Sequence, residues 1–431
     1  MAAVRRQMNI EHRTSNIELR ISNRRPAGAV AHSMFDVGRL HVQWLPLLLI
    51  LLLTGCASTP QPRVTLTGDI LVDGPRMITN GPPKDKVLWQ YRTAAAAMRR
   101  GDYPYSRELL DDALLTLGGV YGSDKAARQA RSYFHEEAKK TFIGEPYERV
   151  MAYYYRGILY WMDGEPDNAR ACFRSGQFQD TGTAEDQFAA DYAILDYLDG
   201  YITAKLGGDG SDAFQRAERV SRLSKLPPYD LGANVILFLE FGPGPVKYAT
   251  GQYREELRFR EVSGPVHTAA VTVGGRKLTV GPCDDLWFQA TTRGGRVMDH
   301  VLGNKAVFKR TTDTVGTAAI ITGAALASQR RRNSAVDEVG AGLIVAGVVS
   351  KIFSGATTPQ ADIRTWDNLP RYLSFATLSL PPGEHPVTVE FLDAAGRLLP
   401  DLTKAITINV PADGKDKVVF VSDQSLTPQN L

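Results

Sequence analysis

Seven histidines, three cysteines and 47 carboxylates are the raw material for chemistry in this 431-residue chain. Their spacing decides what they can do. Downstream of residue 55 the histidines are His135, His267, His300 and His385, none at metal-ligand spacing to another His, Cys or carboxylate. Asp111-Asp112 and Asp284-Asp285 are adjacent pairs. Neighbours on a helix point in different directions, so these read as solvated caps or faces rather than a general acid and base. Gly242-Pro243-Gly244 puts proline where a phosphate cradle needs N–H donors, and no Lys-Ser/Thr pair follows. There is no G-x-S-x-G elbow and no paired C-x-x-C. A triad can still assemble from distant segments, but the spacing predicts no catalytic residue, metal or cofactor. What remains suits recognition. Asp362, Arg364 and Trp366 read as an exposed recognition loop or as a structural lock with the Trp buried. Glu240 and Lys247 could bridge across a Gly-Pro turn. Tyr153, Tyr154 and Tyr155 are candidate anchors for a partner, or core if two of the three turn inward.

Cys56 has the clearest chemical context. An apolar core, Leu45 to Leu53, follows Arg39 and ends in Leu53-Thr54-Gly55-Cys56. The core has the length of a signal h-region and is short of the roughly 20 apolar residues that span a bilayer. Upstream, NIEHRTS at Asn9–Ser15 recurs as NIELRIS at Asn16–Ser22, which looks like translated repetitive DNA and makes Met34 the expected start. Leu53 to Cys56 resembles the lipobox of bacterial lipoproteins. The resemblance implies that the Cys56 thiol takes a diacylglyceryl group and that the small residues before it fit the signal peptidase. Each buried CH₂ of the fatty chains then adds roughly 0.8 kcal/mol of membrane affinity. By resemblance to the sorting rule of some Gram-negative lipoproteins, Ala57 rather than Asp after the cysteine implies the outer membrane of the cell envelope, facing the periplasm. Residues 56–83 follow as a tether, with Pro and hydroxyl residues up to Arg63.

Charge bears on the partner. The formal +3 owes much to a leader with seven Arg and three acidic residues; without residues 1–55, 43 basic and 44 acidic residues remain. A net charge near −1 offers no global attraction to nucleic acid. Cys172 and Cys283 imply no disulfide framework. The former reads as a buried thiol on a helix, and a bridge between the two stays open.

The elements that position these residues fall into two halves. Over 84–226 the pattern is helical. Tyr153-x-x-x-Gly157-x-x-Tyr160, then Gly164, Ala169 and Phe173, resembles the tetratricopeptide signature. Gly157 and Ala169 let two antiparallel helices approach, and Pro166 suits a first helical turn. A weaker copy runs from Ala94 and Ala97 through Gly101-Asp102 to Leu110 and Ala113. A degraded third has Tyr197 and Tyr201, Gly207-Gly208, then Ala213 and Ala217. The glycines Gly101, Gly164 and Gly208 are 63 and 44 residues apart, not the roughly 34 of a regular array; a helix over Asp124–Lys140 accounts for much of the longer gap.

After Pro227-Pro228 strands take over. Asn234 to Phe241 is a continuous apolar run of strand length. Val271 to Val280 alternates across Gly274-Gly275, a hairpin signal. Leu373–Leu380, Val387–Leu392, Ala405–Val410 and Val418–Val421 also read as strands, making 371–431 a small antiparallel β-unit. Within 227–370, Thr314–Gln329 and Val339–Ser350 lack charges and carry glycines seven apart. They predict a Gly-rich helical hairpin, packed in the core or inserted in a bilayer. Three motifs, Glu240 to Lys247, Asp362 to Trp366 before Leu369-Pro370, and Leu380 to His385, follow the lipobox and the repeat in an order similar to a family of bacterial tetratricopeptide-repeat-containing lipoproteins. That family usually has Ala where Gly244 stands. The resemblance implies architecture and location but no reaction. The expected fold is α+β. The expected function is a membrane-anchored, non-catalytic scaffold that binds an envelope protein. The alternatives are an oligomeric membrane-inserted assembly built on the Gly-rich hairpin and, third, a divergent envelope hydrolase.

Overall fold

Asp73 marks where the folded body begins: its carboxylate accepts hydrogen bonds from the Thr67 and Gly68 N–H groups and the Thr67 hydroxyl. The computed structural model describes residues 64–120, 140–181, 189–291, 360–426 and 429–430, all within one compact unit, Arg63–Leu431. Cys56 with its lipobox and tether, the Asp124–Lys140 helix and the Gly-rich hairpin lie outside the described residues, apart from Lys140 and the end of the tether.

Helices fill the first half: α1 Ile70–Asn80, α2 Lys86–Arg100, α3 Tyr103–Val120, α4 Pro146–Met162, α5 Pro166–Gln179, α6 Ala193–Lys205 and α7 Ser211–Val220. Six of them form three hairpins, α2/α3, α4/α5 and α6/α7. Each hairpin turns at a glycine in the left-handed region: Gly101, Gly164 and Gly207. The third turn thus uses Gly207 rather than its neighbour Gly208. Pro166 opens α5, where a missing N–H costs nothing.

At Gly157 the α4/α5 approach is close enough that a Cβ would lie 2.6 Å from Phe173 Cε1. The Phe173 ring is fully buried and has nowhere to go. Gly157→Val is therefore expected to cost about 2–3 kcal/mol by overpacking, read as a lower urea midpoint. The same change at Gly118 of α3, where a Cβ meets nothing within 4 Å among the described residues, should stay within about 0.5 kcal/mol.

The strands are β1 Val235–Pro243, β2 Val246–Thr250, β3 Glu256–Arg260, β4 Thr268–Val273, β5 Arg276–Val280, β6 Asp284–Asp285, β7 Pro370–Leu378, β8 Gly383–Leu392, β9 Lys404–Val410, β10 Lys417–Ser422 and β11 Gln429–Asn430; a short helix, α8 Leu286–Thr291, follows β6. They form a central sheet in the order β10-β1-β7-β6, an outer sheet β11-β9-β8-β4-β5, and a β2-β3 hairpin. β1 runs parallel to β10 and antiparallel to β7. The boundary expected at 370/371 falls inside β7, and the strands after it divide between both sheets, so 371–431 is not a separate β-unit.

Layering explains the sequence pattern. Ile236 and Phe238 of β1 join the helical core, whereas Val235, Leu237, Leu239 and Phe241 join the core between the sheets. A strand covered on both faces needs apolar residues throughout. β9 lies in the outer sheet and alternates buried and exposed along its length. Gly274 and Gly275, both at positive φ, close the β4-β5 hairpin. The result is an α+β fold of three layers: helices, central sheet, outer sheet.

Candidate functional site

The first helix of each hairpin lies against the central sheet. Tyr154 of α4 meets Phe238 edge-on at 6.0 Å and Tyr155 meets Phe420 at 6.1 Å. Tyr197 of α6 packs 4.6 Å from Phe375. Tyr154 and Tyr155 are accordingly buried and Tyr153 is half-buried. Of the two readings of the triplet, partner anchors are overturned and two rings turned inward hold: Tyr154 and Tyr155 are the glue between layers.

Along β1 the helix-facing positions are 236, 238 and 240, so the carboxylate of Glu240 enters the helical layer. There Arg99 of α2 donates from Nε at 2.7 Å and the Tyr155 hydroxyl donates at 2.5 Å. Arg99 also donates to Gln424 at 3.1 Å. Just beyond, Asp423 accepts the Gly242 N–H at 2.8 Å. Burial and the Glu240 charge push the Tyr155 hydroxyl far above its ordinary pKa, so it stays a donor.

Lys247 does not bridge to Glu240. Its Nζ lies 2.5 Å from Glu148 near the start of α4, and it donates to the Arg364 carbonyl at 2.9 Å. Glu148 also accepts the Trp366 N–H at 2.8 Å and, as a cap on its own helix, the Glu145 N–H at 2.6 Å. Burial raises its pKa against the pull of Lys247.

Asp362, Arg364 and Trp366 form a clasp rather than an exposed loop. Arg364 pairs with Asp362 at 2.6 Å and Asp85 at 2.7 Å, and donates to the Lys84 and Lys140 carbonyls. Its guanidinium sits 5.4 Å from the Phe142 ring centre. Burial works to raise the Asp362 pKa, but the Arg364 hydrogen bonds and charge hold it below its ordinary value. Trp366 stacks on Tyr91 at 4.5 Å, while Arg92 holds the Thr365 carbonyl and Asp367. The Asp–Arg lock anticipated as an alternative describes the geometry.

Sequence reasoning missed the partners, Arg99, Glu148 and Asp85. Glu148 alone left a trace, a carboxylate three residues after Glu145, the N-cap of the helix that Pro146 opens. The polar groups of the two halves do meet, but as buried pairs. Cys172 and Cys283 are free thiols, pushed up to about 11 and about 12 by burial. Among the described residues no group of three His, Cys, Asp or Glu could hold a metal ion, and no helix is long and apolar enough to cross a membrane.

Charge is left open to solvent on the other side of the helical layer. A groove of about 380 Å³ runs between α5, α6 and α7, with Arg174, Arg216 and Arg219 at its sides and Asp196 and Asp199 below. Gly200 and Gly210 bring α6 and α7 together beneath it: a Cβ on Gly210 would lie 2.2 Å from the Gly200 carbonyl oxygen. No family model, curated protein or solved structure matches the chain.

Proposed function

We propose that the protein is a lipid-anchored, non-catalytic scaffold of the bacterial cell envelope that holds a partner protein on the outer face of a tetratricopeptide-like helical layer. The observation that carries this reading is the division of labour within the hairpins. The first helices, with their tyrosines and buried ion pairs, are taken up by the chain's own central sheet. Among the described residues, the second helices face away from it. Stacked helical hairpins of this kind serve as surfaces for protein segments and bring no chemistry of their own. The buried locks further support a rigid platform, since each fastens a helix to a strand or to the Asp362–Trp366 clasp.

Anchorage through Cys56 rests on Leu53-Thr54-Gly55-Cys56, and Ala57 after it supports the outer membrane, facing the periplasm. Mass spectrometry of the mature protein is expected to find Cys56 as an acylated N-terminus. Crosslinking in intact cells followed by capture of the tagged, acylated chain should return a stoichiometric envelope protein. An unacylated chain would remove the location, and repeated capture of nothing would remove the scaffold. A Cys56→Ala chain that stays embedded in the membrane would favour the assembly built on the Gly-rich hairpin.

A further inference from the structure

α1 belongs to none of the three hairpins, and it stands where the folded body meets the tether. One side of it is closed. Asp73 and Gly74 are buried, and a Cβ on Gly74 would lie 1.9 Å from the Thr93 hydroxyl oxygen of α2. The opposite side is open among the described residues. Val72, Pro75, Arg76 and Thr79 share it at helical spacing, and all four are exposed. Val72 is 39% exposed, and Leu66, just before the helix, is 52% exposed. Hydrogen bonds from Thr67 to the Asp73 carboxylate fold the segment carrying Leu66 back beside the first turn. Asp69 and Arg76, both exposed, balance one another, so the patch carries no net charge.

What covers this patch follows from the length of chain before it. Only Ala57 to Arg63 separate Cys56 from Val64. A flexible stretch of that length spans about 15 Å on average and roughly 30 Å when fully extended. A compact body the size of Arg63–Leu431 has a radius of gyration of about 21 Å. The tether is therefore shorter than the body is wide. Once Cys56 carries acyl chains, the surface around Val64 is held next to the bilayer that takes them up. Held there, a patch needs little affinity of its own, because the anchor supplies the local concentration.

We infer that the open side of α1 rests on the lipid surface. Leu66 and Val72 enter the boundary between headgroups and acyl chains, and Arg76 meets the lipid phosphates. The inference rests on anchorage through Cys56 and adds to it an orientation, with α1 against the membrane and the rest of the body held off it.

The test uses the acylated mature chain in phosphatidylcholine vesicles, one set brominated near the top of the acyl chains and one not. Bromine quenches tryptophan only at close range, and the native Trp89, Trp161, Trp287 and Trp366 set the background. Leu66→Trp and Val72→Trp, made one at a time at exposed positions, should leave the melting temperature in place. Each should lose at least about half of its added emission to bromine, as a side chain at the headgroup boundary does. Leu398→Trp, exposed between β8 and β9, should lose none. Mass spectrometry of the same samples reports the acyl chains. An acylated chain quenched no more at 66 and 72 than at 398 overturns the inference and leaves the anchorage standing. A mature chain found unacylated overturns the anchorage, and the inference falls with it.

Discussion

Replacing Glu148 with alanine is expected to destabilise the fold by about 3–5 kcal/mol. The Glu148 and Lys247 side chains are 0% and 2% exposed, so water cannot take over the role of the missing partner. Alanine leaves a buried ammonium with the Arg364 carbonyl as its named hydrogen-bond acceptor. It also strips the acceptor from the Trp366 and Glu145 N–H groups. The cost is therefore that of stranded donors, not of one lost attraction. Glu148→Met combined with Lys247→Met removes charge from both sides at similar volume, and should recover part of the loss. Urea denaturation of Glu148→Met, Lys247→Met and the double variant gives the coupling. A Glu148→Ala loss below about 1 kcal/mol, or a double variant as unstable as the sum of the singles, would contradict the pair's role as a lock between helix and hairpin.

How much of this was legible in the sequence depends on how far apart the contacting residues lie. The apolar run of β1, the Gly274-Gly275 hairpin, the alternation of β9 and the turn glycines at 101 and 164 are local signals, and local backbone geometry answers to them. The locks are not local. Arg99 and Glu240 are 141 residues apart, Glu148 and Lys247 are 99, and Glu148 and Trp366 are 218. Reading Glu240 and Lys247 as each other's partners assumed that nearness along the chain decides. The parity of β1 decides instead: it sends Glu240 to the helices, while Lys247 starts a new hairpin under Glu148. The tyrosine triplet stayed ambiguous for a related reason. Three successive positions on a helix point in different directions, and spacing did not show that a sheet some eighty residues later would cover two of the rings. The groove was equally illegible. Arg174, Asp196, Asp199 and Arg216 read as ordinary helix charges until Gly200 and Gly210 bring their helices together.

Asp284 should give the protein a stability that falls as pH rises from about 4 to about 8. Its carboxyl, buried on β6, accepts the N–H groups of Ala193 and Ile194 at the start of α6 at 3.2 and 2.7 Å. Burial pushes its pKa up to about 8 against those two bonds, and the carboxyls of Asp191 and Asp180 add to the rise. The unfolded chain releases this proton near the ordinary value of 3.8, the folded chain only near 8. Between those limits the folded state binds more protons, so each step up in pH favours unfolding. The contribution is fully present below about pH 4, is lost progressively, and is gone above about pH 8. Over the whole window it is on the order of several kcal/mol. Asp284→Asn keeps the shape of the protonated acid and cannot ionise. Its melting temperature should match or trail the wild type at pH 5 and exceed it at pH 8.5. All other titrating groups are common to the two chains, so the difference between the curves isolates this carboxyl. Parallel curves from pH 5 to 8.5 would mean that the start of α6, through its N–H bonds and dipole, holds Asp284 ionised throughout.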